Sequence, residues 1–207
     1  MTRVWAVAAV VAILSVGCGG SDAAEESFAL QDSDALDEAD ASGASAQPPA
    51  VVFDIDGTLT TTPLDPVTPR AGAREAVLLY QDKGYEVVYV TSRPAVLEPV
   101  TLAWLRLHDF PEAPLELSPE LLPGEEESAR IKSETLMQYE QDLGVDFVFG
   151  YGDSSLDFIA YGDAGIPVGG VFALRREGRA DCESGEYAGC LTDFIDHLDV
   201  IASRPDA

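Results

Sequence analysis

Polar and apolar positions divide this chain into three stretches of different texture. Val4 to Leu14 is an unbroken apolar run preceded by a single charge, Arg3. Ser21 to Ala50 is rich in Ala, Ser, Asp and Glu, holds no Lys or Arg, and closes on Pro48-Pro49. From Val51 onward, apolar runs alternate with segments of helical spacing. The runs predict strands at Val51 to Ile55, Glu86 to Thr91, Leu115 to Leu117, Val145 to Phe149, Ile166 to Val168 and Val171 to Ala173. Helices are predicted over Arg70 to Lys83, Pro94 to Leu107, Glu125 to Leu143, Leu156 to Tyr161 and Leu191 to Ile201. Gly84 and Gly144 stop two of them. Such alternation implies an α/β domain whose mostly parallel sheet is covered by helices.

The first two stretches do not read as folded domains. Arg3 followed by an apolar core too short to span a bilayer well has the form of an export signal. Leu14-Ser15-Val16-Gly17-Cys18 resembles a bacterial lipobox, with Ser15 where Leu is usual, so Cys18 is expected to carry lipid. The domain organisation expected is therefore a signal peptide over 1–18, a disordered acidic tether over 19–50 and a folded domain over 51–207. The protein is expected in the bacterial cell envelope, anchored to a membrane through Cys18, or else secreted or periplasmic. Cys182 and Cys190, the other two cysteines, read in an exported protein as a local disulfide closing a surface loop, against two free thiols.

Charge narrows the partners. The formal net charge is −25, and Arg3 is the only basic residue before Pro48, so most of the acidity belongs to the folded part. A nucleic-acid partner is disfavoured, because phosphate backbones need clustered Lys and Arg. Arg175, Arg176 and Arg179 form the one basic cluster, read as a solvated face and as the best candidate for touching an anionic headgroup. His108 and His197 read as surface or core-edge groups, and Trp104 with Leu105 as helix packing.

The chemistry is concentrated where the first strand ends. Asp54-Ile55-Asp56-Gly57-Thr58-Leu59-Thr60 places two carboxylates on one side of a strand at its mouth, where open α/β sheets bind ligands. Paired carboxylates there can hold a divalent cation and leave one oxygen to attack phosphorus. Thr91-Ser92-Arg93 follows the second strand, Lys132 lies on the long helix, and Gly152-Asp153-Ser154-Ser155-Leu156-Asp157 follows a later strand. No G-x-x-x-x-G-K-[ST] string is present, which leaves a nucleotide-binding kinase poorly supported.

In this order the four pieces resemble the motifs of the haloacid dehalogenase superfamily of phosphatases, over Val51 to about Leu174. The resemblance implies a Rossmann-like three-layer sandwich without a large cap domain. It implies Asp54 as nucleophile, forming an aspartyl-phosphate, and Asp56 as the group that protonates the leaving oxygen and then activates water. It implies Mg2+ held by Asp54, the backbone carbonyl of Asp56 and Asp153, with Asp157 in support, and Thr91 and Lys132 on the phosphoryl oxygens. Asp54 to Thr60, Trp104-Leu105, Pro114 to Pro119 and Gly152 to Tyr161 are further similar to lipins, the magnesium-dependent phosphatidate phosphatases. Where lipins tend to have Ser-Ala-Arg, this chain has Thr91-Ser92-Arg93. The same domain in phosphatidylinositol-transfer proteins lacks the nucleophile and senses lipid. The expected partner is a phosphorylated lipid or small molecule; the alternatives are a non-catalytic phospholipid-sensing module and a phosphatase of soluble or protein-borne phosphomonoesters.

Overall fold

A computed structural model describes residues 47–121 and 124–207. The expected signal peptide, Cys18 and nearly all of the tether lie outside the described residues. The first strand, β1, runs Pro49–Asp54, so it starts two residues earlier than the expected domain boundary. After it come β2 (Thr60–Thr62), β3 (Asp65–Pro69), α1 (Ala73–Asp82), β4 (Glu86–Pro94) and α2 (Glu98–Leu107). The chain continues through β5 (Leu115–Ser118), α3 (Glu125–Leu143), β6 (Asp146–Gly152) and α4 (Ser155–Asp163). It closes with β7 (Val171–Leu174), β8 (Gly189–Leu191) and α5 (Leu198–Ala202).

The main sheet has six strands in the order β5-β4-β1-β6-β7-β8, every neighbouring pair parallel. β1 is central because both of its faces are apolar. Val51 and Phe53 point into a core with Ala76 and Tyr80 of α1, Trp104 of α2 and Ile201 of α5. Ala50 and Val52 point the other way, towards Leu136 of α3 and Phe158 and Tyr161 of α4. Burial on both faces is why the strand reads as a continuous apolar run rather than an alternating one. The sheet grows outward from β1 in both directions, through β4 and β5 on one side and β6 to β8 on the other. The carboxyl end of β1 is therefore the switch point where such sheets open a ligand crevice.

The long helix α3 spans the residues expected of it and ends at Gly144, φ 64°. Glu125, Glu126 and Glu127 in its first turn suit the positive end of the helix dipole. Three expectations fail, each for a local reason. Ile166 to Val168 is not a strand. Ile166 N–H bonds back to Tyr161 and Gly165 N–H to Gly162, a Schellman cap on α4 with Gly165 at φ 87°. The expected helix over Leu191 to Ile201 is broken. Leu191 belongs to β8, where it pairs with Leu174, Asp193 caps a turn by accepting from Ile195 N–H, and the α-helix spans only Leu198–Ala202. The segment Thr60 to Pro69, to which the apolar pattern assigns no strand, is the antiparallel β2–β3 hairpin. Its three prolines are tolerated because the ribbon is two-stranded and largely exposed. Cys182 and Cys190 form the expected disulfide, which ties the loop after β7 to β8.

His197 is not at the surface. It is buried, with Nε2 3.1 Å from the Tyr151 hydroxyl, which in turn lies 2.8 Å from that of Tyr80. Burial, with the Arg204 guanidinium beside it, pushes its imidazole down from 6.5 to about 4. An unfolded chain therefore takes up this proton first as the pH falls. The stability that neutral His197 contributes is complete above about 6.5 and is lost as the pH falls through about 4. In urea melts, the wild type should lose more stability between pH 7 and pH 4 than His197→Gln does. Parallel pH profiles for the two proteins would contradict this.

Candidate active site

The site is assembled at the carboxyl edge of β1, β4 and β6. Asp54 ends β1 and is buried. After it the chain makes a tight turn, Ile55 to Leu59, stitched by the Thr60 hydroxyl, which accepts from Gly57 N–H at 2.8 Å. Gly57 sits at φ 86°, and a Cβ there would lie 2.0 Å from Asp153 Oδ2 and 2.9 Å from Pro63. Both the backbone and the space thus demand glycine. Arg70, just before α1, is buried and donates to the carbonyls of Gly57 and Thr58 on this turn and of Thr61 on β2, and to those of Arg175 and Thr192 after β7 and β8. It is the strut that fixes the first motif against the far half of the sheet.

Lys132 reaches in from α3. Its ammonium donates to Asp54 Oδ1 at 2.6 Å and to Asp157 Oδ1. Burial opposes its charge, but Asp157 and Asp54 together hold the ammonium well above its ordinary value. Asp157 serves a second purpose at the start of α4. Its Oδ2 accepts from the N–H groups of Asp153 and Ser154 and from the Ser154 hydroxyl, while Ser154 Oγ accepts from Asp157 N–H. This capping box pins Asp153 beside Asp54. Burial opposes the Asp157 charge as well, yet Lys132 and the Ser154 bonds hold its carboxyl below the usual range.

Asp54 is left unbalanced. Burial raises its carboxyl well above the ordinary value, Lys132 pulls it down, and Asp157, Asp153 and Asp56 raise it further. Its Oδ2 is buried and has no hydrogen-bond partner. Asp54, Asp153 and Asp157 each offer an oxygen within 4.8 Å of the others. An orphaned buried carboxylate oxygen beside further carboxylates, all of them hard donors, fits a divalent cation. Asp153 is itself raised to about 6 by burial and by Asp157, with Arg176 pulling it back.

Asp56 faces the other way. Arg93, at the end of β4, grips both of its oxygens, Nε to Oδ2 at 2.8 Å and Nη2 to Oδ1 at 2.7 Å. Thr91 Oγ1 donates to the same Oδ2 at 3.1 Å. So Thr91 and Lys132, expected on phosphoryl oxygens, here hold Asp56 and Asp54. Two further residues belong to the site. Arg93 was visible in the string that matches the lipin Ser-Ala-Arg. Arg176 was visible only as part of a basic cluster; its Nε pairs with Asp153 and its Nη1 with Glu183, on the disulfide-closed loop. Arg175 instead bonds the Thr192 hydroxyl and the Ala180 carbonyl. The four aspartates, Thr91, Lys132, Arg93 and Arg176 line a cleft of about 470 Å³, with Pro63, Pro66 and Leu97 on its rim. Four carboxylates in that lining face three cationic side chains, which leaves room for a cation and then for an anion.

Gly57→Ala should distort the site more than the fold. We expect a loss of about 1–3 kcal/mol in denaturant melts from the forced φ and the displaced Asp153, and a weakened stabilisation by magnesium in thermal melts. Unchanged melting with and without the ion would refute this account of the turn.

Residues 51–175 match the LNS2 domain of PITM 1–3. Rat and human membrane-associated phosphatidylinositol transfer protein 1 are each 34% identical over 141 residues, covering 65% of this chain and 11% of theirs. Protein retinal degeneration B of Drosophila melanogaster is 30% identical over 133 residues, covering 62% of this chain and 10% of its own length. The chain thus spans about a tenth of the length of these relatives. Among solved structures, a putative beta-phosphoglucomutase from Thermotoga maritima is similar at TM-score 0.55 and 15% identity, over 74% of this chain and 98% of its own. A D,D-heptose 1,7-bisphosphate phosphatase from B. bronchiseptica, complexed with magnesium and phosphate, matches at 0.55 and 15%, over 75% and 98%. The fold is that of the haloacid dehalogenase type, as the order of the motifs implied. By the match over residues 51–175, the chain belongs to the LNS2 domain family of PITM 1–3.

Proposed function

We propose that the domain is a magnesium-dependent phosphomonoester hydrolase of lipin-like type that works through Asp54. One observation carries this reading: Asp54 Oδ1 is neutralised by Lys132 while Oδ2 is buried, unpartnered and at the cleft. An inert structural carboxylate would have both oxygens satisfied. Asp54, Asp153 and the backbone carbonyl of Asp56 would hold the cation, with Asp157 supporting them. When bound, magnesium neutralises charge so that a carboxylate can approach a phosphate dianion.

The Asp54 oxygen that does not hold the cation attacks phosphorus, the bond from phosphorus to the leaving oxygen breaks, and Asp56 gives that oxygen its proton. Asp56 then takes a proton from water, whose oxygen attacks the aspartyl-phosphate, releasing phosphate and restoring the Asp54 carboxylate. Asp56 must first turn away from Arg93 and take up a proton. Arg93, freed in that turn, and Arg176 are the guanidiniums nearest an incoming phosphate.

A phosphorylated lipid is the favoured substrate. It is supported by relatives named as phosphatidylinositol transfer proteins and by a cleft with no more than a hairpin inserted between β1 and α1. Export and a lipid anchor at Cys18 complete the proposal, and the mass of the mature N-terminal peptide checks the anchor. The second reading, a non-catalytic lipid-sensing module, is favoured by the Arg93 grip on Asp56, which holds the expected proton donor as a paired carboxylate.

Purified full-length protein should hydrolyse an aryl phosphate with magnesium, and chelation should abolish the activity. Asp54→Asn should lower the rate about a thousandfold or more. Wild-type rates in Asp54→Asn would remove the nucleophile from the mechanism. Absence of turnover in the wild type, with phosphatidate still bound, would establish the sensing module.

Lys132→Met should leave Asp54 and Asp157 buried without their counter-charge. We expect about 3–5 kcal/mol of destabilisation in denaturant melts, partly recovered with magnesium present. A variant as stable as the wild type would show that the pair is not structurally coupled.

A further inference from the structure

Among the described residues, five large exposed apolar side chains lie on two segments that border the cleft. Leu64, at the tip of the β2–β3 hairpin, is 94% exposed, and Val67 on β3 is 62% exposed. Val96, Leu97 and Val100 at the entry to α2 are 71%, 41% and 64% exposed. The two segments are joined: Trp104 Nε1 of α2 donates to the Val67 carbonyl at 2.8 Å. Pro63 and Pro66 of the hairpin and Leu97 line the same cleft as Asp54. An exposed apolar group rimming a polar cleft marks an interaction surface.

Charge selects what it meets. Residues 60–69 and 93–107 contain two acidic residues, Asp65 and Glu98, and two basic ones, Arg93 and Arg106. This lip is neutral in a chain of net charge −25. A surface bearing phosphates repels a chain of this charge within a Debye length, and it repels a neutral lip least. We propose that the lip formed by Leu64, Val67, Val96, Leu97 and Val100 docks on a phospholipid surface, and that it sets the cleft over the headgroup phosphates. The side chains enter the acyl boundary while Arg93 and Arg176 stay at headgroup depth. The delivery of a lipid phosphate to Asp54 rests on the hydrolase reading; the docking itself does not.

The test uses the full-length chain carrying Cys18→Ser, so that no lipid modification contributes. A polarity-sensitive fluorophore is attached at Leu64→Cys, or at the control site Leu143→Cys, exposed at the far end of α3. With vesicles of phosphatidylcholine and phosphatidate, emission from position 64 should shift to the blue and that from 143 should not. Leu64→Glu with Val96→Glu should slow hydrolysis of vesicle-borne phosphatidate roughly tenfold, with turnover of a soluble aryl phosphate as the control. Equal behaviour of the two labels, or a blue shift that depends on protein concentration without vesicles, overturns the proposal; the latter assigns the lip to a second copy of the chain. A vesicle-dependent shift without any phosphatase activity keeps the docking surface and removes the hydrolase reading.

Discussion

The bridge from Lys132 to Asp54 and Asp157 is the interaction on which the rest of the site depends. It joins the end of β1, the middle of α3 and the start of α4 at one buried ammonium. Burying three charges is expensive, and it is offset only where geometry is good and the remaining lone pairs are met. That requirement positions all three elements at once. A register slip in α3 would strand two carboxylates in the interior. The bridge also makes the two oxygens of Asp54 unequal, and the chemistry rests on that inequality.

Around this bridge the site is built in two halves that touch at Gly57. One half is the turn after β1, held by the Thr60 hydroxyl and by Arg70. The other is the capping box of Ser154 and Asp157, which presents Asp153. They approach so closely that no side chain fits between them. Arg93 and Arg176 then ion-pair with the two carboxylates that Lys132 does not reach. The charges are nearly matched in this state, so a cation entering the cleft competes with these guanidiniums for the carboxylates, and an anion competes with the carboxylates for the guanidiniums.

Much of this is legible in the sequence. Asp54, Asp56, Lys132, Asp153 and Asp157 do meet at one cleft, because a parallel sheet brings successive strand ends to one edge. The bounds of α3 were legible because its caps are local in sequence. Ile166 and Leu191 misled because an apolar residue near a glycine can finish a helix or enter an edge strand, and the difference lies in a hydrogen-bond partner elsewhere. His197 was read as peripheral, yet its ring lies tilted against that of Phe172 with centres 4.4 Å apart. Arg70 stood in a predicted helix and proved to be a strut. Its worth lies in carbonyls up to 122 residues away.

By itself the sequence determined the fold class, the chemical inventory and the edge of the sheet where that inventory collects. Those follow from periodicity and from short motifs, which act over a few neighbouring residues. Only the tertiary structure decided how the charges are paired: Lys132 with Asp54 and Asp157, Arg93 with Asp56, Arg176 with Asp153. Pairing depends on distances of a few ångströms between residues far apart in the chain. Which oxygen of Asp54 is left free is set by that geometry, and no motif encodes it.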